Sequence, residues 1–171
     1  PDVKGYLSDL GGPSANMYKL AGKDIKLCRK CSRPSCIWPD GCKNLETSHK
    51  TLLSLYEKVN RVPGIKKAFV GSGIRYDLLL PEWNTEAGRY ENEYLTELIV
   101  NHVSGRLKVA PEHTSGEVLS LMRKTPFDLF RKLKKRFDGV VNRNGLKYEI
   151  VPYFISSHPG STAQNMAELA D

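Results

Sequence analysis

Apolar positions along this chain follow two alternating rhythms, short runs of strand length and longer stretches at helical spacing. The first run centres on Leu7, flanked by Val3, Tyr6 and Leu10, and it leads through residues 5–16, GYLSDLGGPSAN, into a glycine-rich turn. From Thr47 onward Leu52, Leu53, Leu55, Tyr56 and Val59 make a helical stripe, with Thr47 or Ser48 as N-cap and Pro63 and Gly64 as the stop. A second strand at 65–70 runs into GSGIRYD at 71–77; a helical turn is expected at 78–80 and a loop at 81–88. Tyr94, Leu95, Leu98, Ile99, His102 and Val103 then recur at helical spacing, closed by Gly105. A short strand at 107–110 delivers PEHTS, residues 111–115.

A short helix is predicted at 116–124. A longer one starts from Pro126, capped by Thr125, with Phe130, Leu133, Phe137 and Val140 on one face and Arg131, Lys132, Lys134, Lys135 and Arg136 around the rest. The fourth strand, 148–155, ends in SSHPGS, and Ser161 with Gln164 has the spacing of a capping box for a last helix.

Strands that alternate with helices and lack hairpin signals pair in parallel through right-handed crossovers. The loops that follow such strands share one edge of the sheet, so reactive groups collect there. That edge should carry Asp9, Gly11 and Gly12; Gly71, Ser72, Gly73 and Arg75; Glu112 and His113; and Ser157, His158 and Gly160. A closed β/α barrel takes about 250 residues. The expected fold class is therefore α/β, a partial barrel or an open parallel sheet, forming one domain over 1–171 with an inserted loop at about 21–46.

With 40% hydrophobic and 26% charged residues the composition is that of a globular domain, and no segment has the roughly 18 apolar residues of a membrane span. No export signal is present, so reduced thiols and a cytoplasmic location are expected. The chain begins at Pro1, the start expected of a processed or excised piece. Its net charge of +7 permits RNA as a partner, although solvated basic faces account for the same charge.

The inserted loop holds every cysteine: Cys28, Cys31, Cys36 and Cys42, spaced C-x2-C-x4-C-x5-C. Four thiols so close point to a shared role, and a zinc or iron site is expected, with Arg29, Lys30, Arg33 and Lys43 offsetting thiolate charge and His49 as an alternative ligand. Disulfides or free cysteines in an unstructured loop are the competing readings. The glycine turns match neither a P-loop nor a dinucleotide fingerprint, and tight turns alone would explain them. His113 and His158 are acid-base candidates by position, set against the commoner reading of hydrogen-bonded histidines.

Taken together, SDLGGPSANMY, CSRPSC followed by PDGC, GIKKAFVGSGIRYD, LKVAPEHTS and VPYFISSHPG resemble the YgiQ family of radical S-adenosylmethionine (SAM) proteins over nearly the whole chain. The resemblance implies a partial β/α barrel in which a [4Fe-4S] cluster reductively cleaves SAM to a 5'-deoxyadenosyl radical. It assigns Gly11 and Gly12 to the backbone contact with the methionine end of SAM, Glu112 to the ribose, and residues 155–161, including Ser157 and His158, to the adenine; Ser72, at the second glycine-rich end, joins this set. Pro13 stands where the superfamily's usual Glu would. The resemblance also fits Cys31, Cys36, Cys42 and His49 as ligands of a zinc or auxiliary iron-sulfur site, with Cys28 as the alternative fourth.

The superfamily's cluster motif, C-x3-C-x2-C, does not occur in this sequence, and the four cysteines present follow the GGP turn where the motif would precede it. The expectation is thus a core fragment, truncated at both ends, whose partner is the rest of its parent chain and whose own catalysis is absent. Residues 3–7 and 148–155 would be sheet edges open to self-association. A metal-stabilised RNA-binding module without catalysis is the rival expectation.

Overall fold

The computed structural model describes residues 4–12, 14–80 and 88–170. The elements run β1 (Gly5–Leu7), α1 (Ile25–Arg29), α2 (Lys50–Asn60), β2 (Ile65–Ala68), α3 (Tyr76–Leu79), α4 (Gly88–Glu97), a π-helical turn (Leu98–His102), β3 (Arg106–Glu112), α5 (Gly116–Leu121), α6 (Phe127–Arg143), β4 (Glu149–Phe154) and α7 (Ala163–Ala170). The class is α/β with parallel strands. β1 pairs with β2 and β3 with β4, each in parallel, and no closed barrel forms among the described residues. The chain beyond β2 joins the two pairs: Ile74 makes a parallel bridge to Val109, and its N–H donates to the Lys108 carbonyl at 3.2 Å. No helix among the described residues is long and apolar enough to cross a membrane.

The core lies between the strands and α2, α4 and α6, where Leu52, Tyr56, Tyr94, Leu98, Leu107, Leu133 and Phe137 are fully shielded from water. Each such large apolar side chain contributes about 1.5–3 kcal/mol through burial. The stripe expected on α6 is present, widened by Leu129 and Val141, while Phe130 packs half-buried at its margin. The Tyr56 and Tyr94 hydroxyls lie 3.2 Å apart inside the core. Burial pushes both phenols above their usual pKa, so they remain neutral.

Several boundaries differ from the sequence expectation for local reasons. α2 is capped at His49, not Thr47 or Ser48, although the Ser48 hydroxyl still accepts from the Lys50 N–H at 3.4 Å. Pro126 is the N-cap of α6, with an extended ψ that leaves Phe127 as the first helical residue. The capping box on α7 is shifted by one position: Thr162 N–H donates to Asn165 Oδ1 at 2.8 Å, and Asn165 N–H returns to Thr162 Oγ1 at 3.2 Å. Ser161 instead donates its hydroxyl to the His158 carbonyl. β3 runs two residues past its predicted end, because Glu112 still pairs with Phe154 beyond an irregularity in the ladder. Val3, Pro13 and residues 81–87 of the loop expected at 81–88 lie outside the described residues, and Gly88 already belongs to α4.

Candidate functional site at the strand ends

The carboxyl ends of β1 and β2 are tied together by one carboxylate. Asp9 Oδ1 accepts from the backbone N–H of Gly11 at 2.8 Å and of Gly71 at 3.0 Å, and Asp9 Oδ2 accepts from the Ser72 hydroxyl. What little burial Asp9 has works against its ionisation, but the hydrogen bonds from Ser72, Gly11 and Gly71 outweigh it and hold its pKa below the usual carboxylate value. Glycine at position 11 has a steric cause: a Cβ there would lie 2.8 Å from both Ser72 Cβ and Asp9 Oδ1. At Gly12 no described atom lies within 4 Å of the same position, which leaves room beside its Cα.

The turn after β1 continues into Asn16, which is fully buried and grips the chain after β2. Its Nδ2 donates to the Arg75 carbonyl at 2.9 Å, and the Arg75 N–H donates to its Oδ1 at 2.7 Å. The Arg75 guanidinium forms a forked pair with Asp77, at 2.9 Å from Nε to Oδ1 and 2.6 Å from Nη2 to Oδ2. Burial opposes the charge on Arg75, but Asp77 overcomes it and keeps the guanidinium protonated. Beside them, burial and the charge of Asp77 push the Tyr76 phenol up to about 12.

At the end of β3, Glu112 sits at φ +68°, in the left-handed region that costs a non-glycine residue of the order of 1 kcal/mol. Its Oε1 accepts from Lys124 Nζ at 2.9 Å. Its carbonyl accepts from the Ile155 N–H at 2.7 Å, which sets the end of β4 beside it, where Ser157 also has a positive φ of 56°. Neighbouring strand ends thus carry two strained polar residues. Glu112→Gly should raise stability by about 1 kcal/mol relative to Glu112→Ala, since both lose the Lys124 pair and only glycine relieves the backbone. Equal urea midpoints for the two variants would show that no strain is stored there.

His113 is fully buried, with Nδ1 accepting from the Ser115 N–H at 3.0 Å and Nε2 without a hydrogen-bond partner among the described residues. The His158 Nδ1 is likewise buried, with no hydrogen-bond partner among the described residues. Of the six residues predicted for SAM, the structure places Gly11 and Ser72 on the same Asp9 carboxylate, and sets Glu112 beside the β4 end that carries Ser157 and His158. The two strand pairs meet at the Ile74–Val109 bridge, and cavities of about 440–680 Å³ are lined by other residues.

All four thiols line one such cavity, of about 680 Å³, and are free of disulfides. Slight shielding of the largely exposed Cys36 thiol from water, reinforced by Cys42, Cys28 and Cys31, pushes it up. Among the described residues no three Cys, His, Asp or Glu side chains already stand at metal-ligating spacing. His49 does not line this cavity. Its ring stacks on Tyr94 with centroids 4.6 Å apart, Nε2 lies 3.2 Å from Asn16 Nδ2, and Nδ1 faces the buried Glu91 carboxylate at 3.8 Å.

Sequence reasoning missed the tie through Asp9, the Arg75–Asp77 fork and Lys124 as the partner of Glu112. Asp9 and Arg75 were visible as polar residues at strand ends. Lys124 lies twelve residues from Glu112 and carried no local signal.

Along 99% of its length the chain is similar to UPF0313 proteins. It is 60% identical over 171 residues to the UPF0313 protein of Bacteroides thetaiotaomicron, 54% over 170 to that of Porphyromonas gingivalis, and 45% over 170 to one from Bradyrhizobium diazoefficiens. These UPF0313 proteins are much longer: the chain spans 28%, 27% and 24% of their respective lengths. No family model matches the chain, and no solved structure matches it.

Proposed function

We propose that this chain supplies the strand-end part of the SAM site in the partial barrel of a radical SAM enzyme, acting as part of a longer protein. The observation that carries this reading is the shared edge itself. Parallel strand ends present an open glycine backbone at Gly12, a seryl hydroxyl fixed by Asp9, and the strained Glu112 next to Ser157. The motif resemblance to the YgiQ family and the similarity to the UPF0313 relatives support it.

The residues here suit the polar parts of SAM and do not suit its cluster. Exposed backbone at Gly11 and Gly12 is suited to the methionine end, Glu112 to accept from ribose hydroxyls, and residues 155–161 to flank the adenine. The cluster needs three closely spaced cysteines at this edge, and the thiols of this chain line a cavity elsewhere. The catalytic residues of the full-length protein, its substrate and its [4Fe-4S] ligands therefore lie beyond what these side chains provide. Within the longer protein, β1 and β4 would pair with neighbouring strands; on their own, their free edges favour self-association.

A second reading rests on a different surface. Lys132, Lys135, Arg136 and Arg143 line one groove of about 580 Å³ between α4 and α6, suited to a phosphate backbone and so to RNA. Calorimetry on the full-length protein separates the two. SAM binding that is weakened at least tenfold by Gly11→Ala, whose added Cβ would push Ser72 away, supports the strand-end site. RNA binding that falls steeply with salt, without SAM binding, would replace that reading with the second.

A further inference from the structure

Residues 21–46 form an excursion with a closed base and no core of its own. At the base, Gly22 bridges Leu45 in antiparallel fashion, Lys23 N–H donates to the Asn44 carbonyl at 2.7 Å and Glu46 N–H to the Ala21 carbonyl at 2.8 Å. Beyond it, none of residues 23–44 is buried, and Ile25 and Leu27 are 52% and 60% exposed. The five-residue α1 and a few turns supply all its regular structure. A segment of this length without apolar packing needs another constraint to hold one conformation.

Its turns gather sulfur. Cys31 N–H donates to the Cys28 carbonyl at 3.1 Å and Cys42 N–H to the Cys36 carbonyl at 2.7 Å, so the cysteines are presented as two hydrogen-bonded pairs on the wall of one cavity. The seat of Cys28 is shaped for its sulfur in two independent ways. Asn44 Nδ2 donates to Sγ at 3.2 Å while also holding the Asp24 carbonyl at 3.0 Å. A Cβ on Gly22 would overlap the same Sγ, so that only glycine leaves the sulfur its place. Donors of this kind orient metal-bound thiolates.

We propose that Cys28, Cys31, Cys36 and Cys42 form a tetrathiolate zinc site that fixes this excursion, independent of the SAM reading. Four thiolates on Zn²⁺ carry a net charge of −2. Between residues 24 and 43 the five cations Lys26, Arg29, Lys30, Arg33 and Lys43 face only Asp24 and Asp40, an excess of three positive charges that offsets it. Binding replaces four thiol protons, which pass to solvent, by four Zn–S bonds of about 2.3 Å. The exposed turns close inward on the ion, since no three ligands are yet at bonding distance. His49 stays in the core between Asn16 and Glu91, and the fourth ligand is Cys28.

The test uses the full-length protein purified anaerobically, with zinc and iron counted separately. About one zinc per chain is expected, falling to background in Cys28→Ser and Cys36→Ser and unchanged in His49→Gln. Should a serine variant fail to fold, the wild type still decides: titrating its thiols with a mercurial should release zinc in step with four thiols of this loop. Co²⁺ in place of zinc should give intense thiolate-to-metal absorption. A wild type without zinc, zinc retained in both serine variants, or iron and sulfide lost in place of zinc would each overturn the proposal.

Discussion

Asp77→Ala is expected to destabilise the chain by about 3 kcal/mol, the lower end of the range for breaking a buried ion pair. The carboxylate is 6% exposed and the Arg75 side chain 30%, so removing the acid strands a guanidinium that has only partial access to water. The effect should reach the candidate site, because the Arg75 backbone is what Asn16 holds, and Asn16 ends the glycine turn of the first strand. Urea unfolding measures the loss, and adding Arg75→Met to the variant should recover part of it by removing the stranded charge. A single variant within about 0.5 kcal/mol of wild type, the range of an ordinary surface substitution, would show that the fork is ornamental.

Asp9→Ala should cost about 1–2 kcal/mol near neutral pH, several charge-assisted hydrogen bonds discounted for the exposure of the site. The pH dependence has a definite sign. The folded pKa lies below that of the unfolded chain, so the stabilisation is complete above the unfolded value of about 3.9 and disappears as pH falls through the folded one. The difference between wild type and variant should therefore be constant from about pH 7 to pH 5 and close below about pH 4. A gap that widened on acidification would contradict the hydrogen-bond pattern at Asp9.

How much of this was legible in the sequence depended on whether the cause was local. Strand and helix order follows from apolar rhythm, so the stripe Leu133, Phe137, Val140 on α6 and the parallel pairing of the strands could be read directly. Caps were displaced by one or two residues, because Thr162 and Ser161 offer the same hydroxyl and only the geometry at Asn165 decides between them. The strand-end residues were visible as a set, but their connections were not: Asp9 reaches Gly71 across 62 positions, and Glu112 reaches Lys124 through the fold. His49 is a position whose surroundings the sequence did not show. Its proximity in sequence to the cysteines made it a candidate ligand, whereas the start of α2 turns it onto Tyr94.

The π-helical turn at Leu98–His102 bears on which changes of length this architecture can absorb. It carries the helix to a point where His102 Nδ1–H donates to the Ala68 carbonyl at 2.7 Å and the His102 carbonyl accepts from the Val70 N–H at 2.8 Å. Deleting one residue there would restore ordinary winding and rotate His102 by about 100°, away from the strand it holds. The cysteine excursion is the opposite case: a residue gained or lost at its tip leaves the Gly22–Leu45 base in place. Insertions and deletions in descendants of this sequence should therefore fall between the cysteines of the excursion and be excluded from the end of the fourth helix.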